Sequence, residues 1–464
     1  MKIKHSLLDD IFYSQELKSI LSQLLTNSTK TKIYLVGGAL RDYLLERTPN
    51  DFDFAISGKG IEFARKFALK TKSAFVLLSE KDDEARVVLP NGIIFDFNGL
   101  GDKTIREDLL RRDFTINALA IDLHKPTKII DKFHGLTHLK SKTIFPTTNK
   151  SLILDPLRIL RAFRIALELN FTVSNKVFEL AKNIKLSSVA PERIGYELLR
   201  ICESAKSYHS LKILYDLNIL AQLFPLAKKL FDDKALFAHS LRTYKKIESL
   251  LSRKSYFSQF TDEFAKYFNN FPFRRALLKI AGLFHDIAKP HTEFKTPTGE
   301  VHFYGHDNLG AKMVSRIAYE NLRLSRKQTL MLKKLVAYHM RLHLLATAPE
   351  LTDRAIRRFF RDVDDEYFGL MILTYADGYA TAKMTKHLEI TFNRMLKLKQ
   401  VDAAKKKVLR LINGDDLIAW GYKPGPIFKT ILQELEELQL EGKITTKEQG
   451  YEYLRNNYPL NSTI

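Results

Sequence analysis

Cysteine is almost missing from this chain: its 464 residues include only Cys202. A single thiol excludes an intramolecular disulfide and any cysteine-rich zinc site. The apolar neighbours of Cys202 assign it to packing, which suits a reducing cytoplasm. Long hydrophobic runs are missing too, so no bilayer-spanning helix is expected. The stretch Met1 to Asp10 carries basic residues without a following apolar core, so neither is a secretory leader. No internal repeat or low-complexity tract breaks the pattern. Acidic residues are scarce relative to basic ones, 53 against 74, and the formal charge is +21. Such an excess favours a polyanionic partner, nucleic acid or an acidic membrane surface, although charge also serves plain solubility. Length and a 45% hydrophobic content leave room for about two to four domains with a substantial core.

Hydrophobic periodicity changes along the chain. Lys32 to Gly37 reads as a buried strand, followed by a Gly-Gly turn and a helix over Ala39 to Glu46. Asp51–Ser57, Ala74–Leu78, Ala85–Leu89 and Ile93–Phe97 read as further strands, and Ile61–Thr71 as a helix. Pro90-Asn91-Gly92 has hairpin composition, because Asn and Gly tolerate positive φ. From Asp155 onward apolar and basic residues recur at helical spacing. The expected fold class is α+β: a mixed-sheet head over residues 1–150, a helical neck over 151–230, a histidine-containing helical block over 231–395 and a basic helical tail over 396–464.

Gly37 and Gly38 end a strand and open a helix, so backbone amides could approach a triphosphate there with Arg41 adding charge. A tight turn explains the same glycines. Asp51-Phe52-Asp53 puts two carboxylates on one face of a strand and Phe52 in the core. Paired oxygen donors can hold Mg²⁺, and phosphoryl transfer uses two such ions: one lowers the pKa of an attacking hydroxyl and the other offsets charge on the leaving pyrophosphate. Asp96, near the end of a strand, is the candidate third carboxylate. Arg111 and Arg112, followed by Asp113 and Asn117, offer planar guanidinium groups suited to phosphate, or a surface salt-bridge cluster. Asp155-Pro156 then opens a helix with Asp155 as expected N-cap, and Arg158, Arg161 and Arg164 share one face. Asp155 and Arg158 could read a base edge that carries an amino group, admitting CTP and ATP over UTP and GTP. An amphipathic helix with a capping aspartate explains them equally.

In order along the chain, G-G-x-x-R-D, D-x-D, R-R-D-x-x-x-N and D-x-x-R resemble the motifs of the class II tRNA nucleotidyltransferase and poly(A) polymerase family, within the polymerase-β-like nucleotidyltransferases. The resemblance runs through roughly the first 230 residues. It implies metal binding at Asp51 and Asp53, triphosphate contacts from Gly38, Arg41, Arg111 or Arg112, Arg161 and Arg164, and base selection by Asp155 and Arg158. It also places Pro191-Glu192-Arg193 and Glu197 in a neck beside the nucleotide pocket. The implied partners are tRNA, CTP and ATP. Two departures stand out: Leu154 replaces the glutamate that often precedes the aspartate of the last motif, and only residues 97–107 separate Asp96 from Asp108. CCA- and A-adding members are similar to one another in a longer flexible loop there, so the short segment looks like that of CC-adding enzymes.

His285-Asp286, with His239, His306, His339 and Asp377, is similar to the HD phosphohydrolase arrangement and implies a second divalent metal. In that setting the block could act on phosphates at RNA ends. Arg354, Arg357 and Arg358, with Lys405 to Lys407, have spacing suited to an RNA backbone, or form a solvated face. The expected activity is transfer of CMP, and of AMP, to a tRNA 3′ end. A poly(A) polymerase, an HD phosphohydrolase and a non-catalytic RNA-binding protein are the rival readings.

Overall fold

A computed structural model describes residues 7–26, 31–252, 261–383, 385–405 and 411–459. The chain forms two compact units, Met1–Pro225 with Glu320–Leu324, and Leu226–Tyr319 with Ser325–Ile464.

The first unit is built on a seven-stranded sheet of β1 (Ile33–Val36), β2 (Asp51–Ile56), β3 (Ala74–Ser79), β4 (Glu84–Val88), β5 (Ile94–Gly99), β6 (Leu119–Asp122) and β7 (Ile130–Asp131), in the order β3-β4-β5-β2-β1-β6-β7. Only β2 and β5 run parallel; every other neighbouring pair is antiparallel. The head is thus a mixed sheet with helices, as expected from the sequence, and strands β1 to β5 fall within two residues of the expected ends. Strands β6 and β7 were not anticipated, since Ile116 to Ile121 reads as one apolar run without alternation; β6 is buried along most of its length.

Alternation in β2 and β5 sets the site. Phe52, Phe54, Phe95 and Phe97 are fully buried, while Asp51, Asp53 and Asp96 point to the opposite face. The rings pack at 5.1 to 5.3 Å for Phe54–Phe95, Phe54–Phe97 and Phe52–Phe95. The helix Gly60–Thr71 closes this face with Phe63 and Phe67. Each such pair adds about 0.5–1.5 kcal/mol beyond area burial, so the carboxylates are carried on a stiff aromatic floor. The hairpin at Pro90-Asn91-Gly92 forms as expected, with Gly92 at φ 84°.

Beyond the sheet the unit is mainly helical, with one short parallel pair, Thr143–Ile144 with Thr172–Val173, and the helices Arg158–Leu169 and Pro191–Glu203 following the head. The first of these begins later than expected. Asp155 lies outside the helix in extended conformation, and Leu157, without a side-chain cap, occupies the N-cap position. The Asp155 side chain still accepts from the Leu157 amide at 3.2 Å, so it closes a turn that feeds the helix.

In the second unit, helices Lys234–Ser252, Arg274–Phe284, His306–Arg316, Arg326–Thr347 and Tyr367–Ala382 pack together. The helix Lys386–Lys405 runs through residue 395, so a boundary expected there falls inside a continuous element. Three shorter helices, Gly414–Ala419, Pro426–Leu440 and Lys447–Asn457, share a small core of Leu417, Ile431, Leu435 and Leu454. Cys202 is buried, as its neighbours implied. No described helix is long and apolar enough to cross a membrane.

Candidate active site and metal centre

Asp53 and Asp96 face each other across the parallel β2–β5 pair, with Asp51 two residues back at the exposed end of β2. Burial pushes the Asp53 carboxyl above its ordinary value; Arg112 and a Gly38 amide oppose the shift, while Asp96 and Asp51 add to it. Clustered carboxylates with this imbalance make a hard-cation site, and the residues fit a divalent metal. Gly37 leaves the room that Asp53 and Arg112 occupy. Its φ is 75°, and a Cβ would sit 2.5 Å from Asp53 Oδ2 and 2.7 Å from Arg112 Nη1. Asp96 does not stand free: Arg86, its partner in the β4–β5 register, donates to both carboxylate oxygens at 2.8 and 2.9 Å.

Above this floor lies a cavity of about 420 Å³ lined by Asp53, Asp96, Arg111, Arg112, Asp113, Asp155, Arg158 and Arg161, with Glu84, Asn98 and Asp108 among the rest. Eight of the expected residues therefore line one cavity, while Gly37, Gly38, Arg41, Asp51 and Asn117 are not in its lining, and many of the eight are already held. Asp108, buried at the foot of the helix Ile105–Arg111, pairs with Arg111 at 2.9 Å and Arg112 at 3.2 Å and accepts from Asn98. Sequence reasoning gave Asp108 no role, although its i+3 and i+4 spacing to the two arginines was visible. Arg41, Asn117, Asp113 and Arg161 form one relay. Arg41 Nη1 donates to Asn117 Oδ1 at 2.7 Å, Asn117 Nδ2 to Asp113 Oδ1 at 2.9 Å, and Arg161 Nε to Asp113 Oδ2 at 3.0 Å. Burial opposes ionisation of Asp113, yet Arg161, Asn117 and the Phe114 amide together hold its carboxyl below the usual range.

Asp155 and Arg158 both reach the cavity without bonding each other. Asp155 Oδ2 is held by Arg193 at 2.8 Å, which brings the neck residue named in the sequence onto the pocket. Arg158 donates to the carbonyls of Ser151 and Arg111. Arg164 lies elsewhere: it is bound by Glu197 at 2.6 Å and Glu168 at 2.8 Å and does not line the cavity. The short segment after Asp96 is well pinned. The Leu100 amide bonds Ile56 O, the Gly101 amide bonds Gly58 O, and Thr104 starts the next helix with a reciprocal capping box to Glu107.

In the second unit the six candidate ligands meet. His239, His285 and Asp286 form one group, and Asp286, His306 and His339 another, so Asp286 is common to both. Asp377 Oδ1 lies 3.0 Å from His239 Nε2, and Asp377 Oδ2 lies 3.0 Å from His343 Nε2. His343 was not singled out from the sequence, although it follows His339 by one helical turn. The Nδ1 atoms of His285, His306 and His339 each lie within 3.0 Å of a backbone carbonyl, of Gly282, Phe303 and Val336 respectively. That pairing makes Nδ1 a donor and turns each Nε2 towards Asp286, where a metal could take the place of an Nε2 proton. Burial works against a charged His285, but Asp286 and Asp377 push its pKa up to about 10. Neither oxygen of the buried Asp286 accepts a hydrogen bond of good geometry, although Lys289 Nζ approaches Oδ2 at 2.7 Å. A buried carboxylate amid imidazole nitrogens is the donor set of a transition-metal site.

The basic face expected at Arg354, Arg357 and Arg358 is only partly present. Arg354 and Arg358 are exposed, but Arg357 turns inward onto Asp402 at 2.8 Å and Glu441 at 3.5 Å, because it lies on a neighbouring stripe of the helix Asp353–Val363. Lys406 and Lys407 lie outside the described residues.

Three family models match: the poly(A) polymerase head domain over residues 33–97 and 80–145, the probable RNA- and SrmB-binding site of polymerase A over 170–231, and the HD domain over 236–382. A CC-adding tRNA nucleotidyltransferase of Thermus thermophilus is 28% identical, covering 92% of this chain and 94% of its own. An A-adding tRNA nucleotidyltransferase of Deinococcus radiodurans is 27% identical, covering 91% and 94%. Among solved structures, a Thermotoga maritima CCA-adding enzyme complexed with tRNA shares the fold with a TM-score of 0.67 at 20% identity, over 98% of both chains. Head, RNA-binding and HD segments follow one another along the sequence, and the chain belongs to the tRNA nucleotidyltransferase and poly(A) polymerase family, as a member with an HD domain.

Proposed function

We propose that this protein transfers CMP, and less readily AMP, from the nucleoside triphosphate to the 3′-hydroxyl of tRNA, with release of pyrophosphate. The observation that carries the reading is the meeting of Asp53 and Asp96, with Asp51 two residues back on the same strand face, and an arginine-walled cavity of about 420 Å³ that also contains Asp155 and Arg158. In this reading Asp51 and Asp53 hold Mg²⁺ in a two-metal site, with Asp96 as the third carboxylate. Bound there, the metal would acidify the attacking hydroxyl and offset charge on the triphosphate. Arg111, Arg112 and Arg161 orient the phosphates, and the relay through Asp113 and Asn117 keeps Arg41 and Arg161 in register. Gly37 and Gly38 keep the floor open. Arg164 acts at one remove, by bracing Glu197 and Glu168 of the helical neck.

Base choice falls to Asp155, accepting from an exocyclic amine, and Arg158, donating to the adjacent ring position. The pinned segment Leu100–Lys103 supports a preference for CTP, since it gives the pocket no mobile element with which to change shape for ATP. Residues 1–150 would be the catalytic head, 151–230 the neck and 231 onward the HD block, continuing without a break at 395 through the helix Lys386–Lys405 into a basic C-terminal region, working in the cytoplasm. The His239, His285, Asp286, His306, His339 and Asp377 cluster supports a second, phosphohydrolase activity that uses its own divalent metal.

Product length at nucleotide resolution tests the proposal, on tRNA transcripts ending at the discriminator base, at C and at CC, with Mg²⁺ and CTP, ATP or both. Growth by two cytidines without a terminal adenosine is the expected result. Growth to CCA would remove the argument from the short segment. Long homopolymers from ATP alone would make the chain a poly(A) polymerase, and no growth on any end would leave the HD cluster as the principal activity.

A further inference from the structure

Arg86 and Asp96 are direct cross-strand partners on β4 and β5, and the guanidinium occupies both oxygens of the carboxylate. On the other side of β5, Asp96 stands opposite Asp53. A guanidinium on both oxygens leaves only their remaining lone pairs for a metal and sets a positive charge beside it, so Arg86 and a metal disfavour each other at Asp96. We propose that Arg86 is an exchangeable cation: it holds Asp96 while the pocket is empty and passes to the triphosphate when the metal–nucleotide complex arrives, which releases Asp96 towards the metal.

Three features support the exchange. Both partners are partly exposed, Arg86 at 39% and Asp96 at 27%, so an incoming ligand can reach the pair. The planar fork that fits a carboxylate fits two phosphate oxygens as well, so Arg86 can trade one anion for the other without losing paired hydrogen bonds. Arg86 is not itself in the cavity lining and meets it through Asp96, whereas lining arginines have strong local anchors: Arg112 is tied to Asp108, and Arg161 to the buried Asp113. Arg86 is paired instead to a group that the chemistry needs elsewhere. The exchange also balances charge. The carboxylate cluster keeps a positive neighbour when it has no metal, and the incoming metal takes over that role while Arg86 follows the added negative charge.

The proposal rests on reading the head as a nucleotidyltransferase site, and it makes Arg86 and the metal competitors for Asp96. By linkage, removing Arg86 must strengthen metal binding to the nucleotide-free protein and weaken binding of the nucleotide. The test uses the full chain as wild type, Arg86→Gln, Asp96→Asn and the double variant. Mn²⁺ binding without nucleotide is followed by electron paramagnetic resonance, and CTP binding in Ca²⁺ by calorimetry. Arg86→Gln is expected to bind Mn²⁺ about fivefold more tightly, the factor that the upper value for an exposed ion pair converts to, and CTP about tenfold more weakly. The Mn²⁺ gain should vanish when Asp96→Asn is added. Mn²⁺ affinity that is unchanged or lower in Arg86→Gln, or CTP affinity that is unchanged, would overturn the exchange and leave the pair a brace between strands. If Arg86→Gln does not fold, Arg86→Lys keeps the charge but not the two-oxygen grip, and should move both affinities in the same directions by less; no movement in either overturns the exchange. Failure of the reading beneath it has a separate signature, because wild type would then bind no CTP.

Discussion

Replacing Gly37 by alanine adds one methyl group against the carboxylate of Asp53. The Cβ would lie 2.5 Å from Asp53 Oδ2 and 2.7 Å from Arg112 Nη1, where an ordinary contact needs about 1 Å more. Strand β2 cannot yield, because Phe52 and Phe54 beside Asp53 are locked into the aromatic floor, so the carboxylate and the guanidinium must swing away. A misplacement of about 1 Å at reacting groups costs on the order of 10²-fold in rate. The left-handed backbone, φ 75°, adds about 1–2 kcal/mol of strain for a residue with a Cβ. That strain corresponds to a fall of roughly 2–8 °C in the head's unfolding transition. Single-turnover incorporation of CMP at saturating CTP and tRNA measures the rate, and filter binding measures tRNA affinity. The expected outcome is a rate about 100-fold lower with tRNA binding unchanged. A Gly37→Ala protein that transfers at the wild-type rate would refute the claim that this glycine exists to make room for Asp53.

Asp51→Ala and Asp53→Ala should each abolish transfer while leaving tRNA binding largely intact, as scored by primer extension and filter binding; turnover in both variants would remove the metal assignment. Asp113→Asn should destabilise the head by about 1–3 kcal/mol at neutral pH through loss of a charged partner for Arg161. Because the folded carboxyl titrates below its ordinary value of 3.8, its stabilisation is present above that value and lost as pH falls through the folded pKa. The difference in melting temperature between Asp113→Asn and wild type should therefore shrink in acid, and a pH-independent difference would contradict the electrostatic account. In the second unit, Asp286→Ala should abolish metal retention altogether, because both ligand groups use this carboxylate, whereas His306→Ala should spare the group of His239 and His285. Metal content after dialysis distinguishes the two variants, and equal retention in both would show that Asp286 is not shared.

Legibility followed the range of the interactions. The alternation Asp51-Phe52-Asp53-Phe54 is local, so strand, face and carboxylate cluster were legible in it, whereas the widely spaced histidines were legible only through the His285-Asp286 pair and the resemblance it carries. Partners distant in sequence stayed hidden. Arg164 reads as a phosphate ligand on its own helix, and only folding brings Glu197, 33 residues away, onto it. Arg86 gave no signal because its role depends on the β4–β5 register. The start of the helix after Asp155 was misplaced because an aspartate before a proline carries the same side-chain-to-amide bond whether it caps the helix or closes the turn ahead of it. Arg357 seemed to extend a basic face because Asp402 and Glu441, which neutralise it, come from later helices.

The alternating strand also acts as a proofreading device during folding. A slip of β2 by one residue would exchange its two faces, thrusting Asp51 and Asp53 among the phenylalanines and exposing the rings to water. Unpaired charges in such surroundings cost several kcal/mol each, and the aromatic packing would be lost at the same time. A chain that has assembled this floor has therefore already aimed its carboxylates, and an error in one cannot be made without an error in the other.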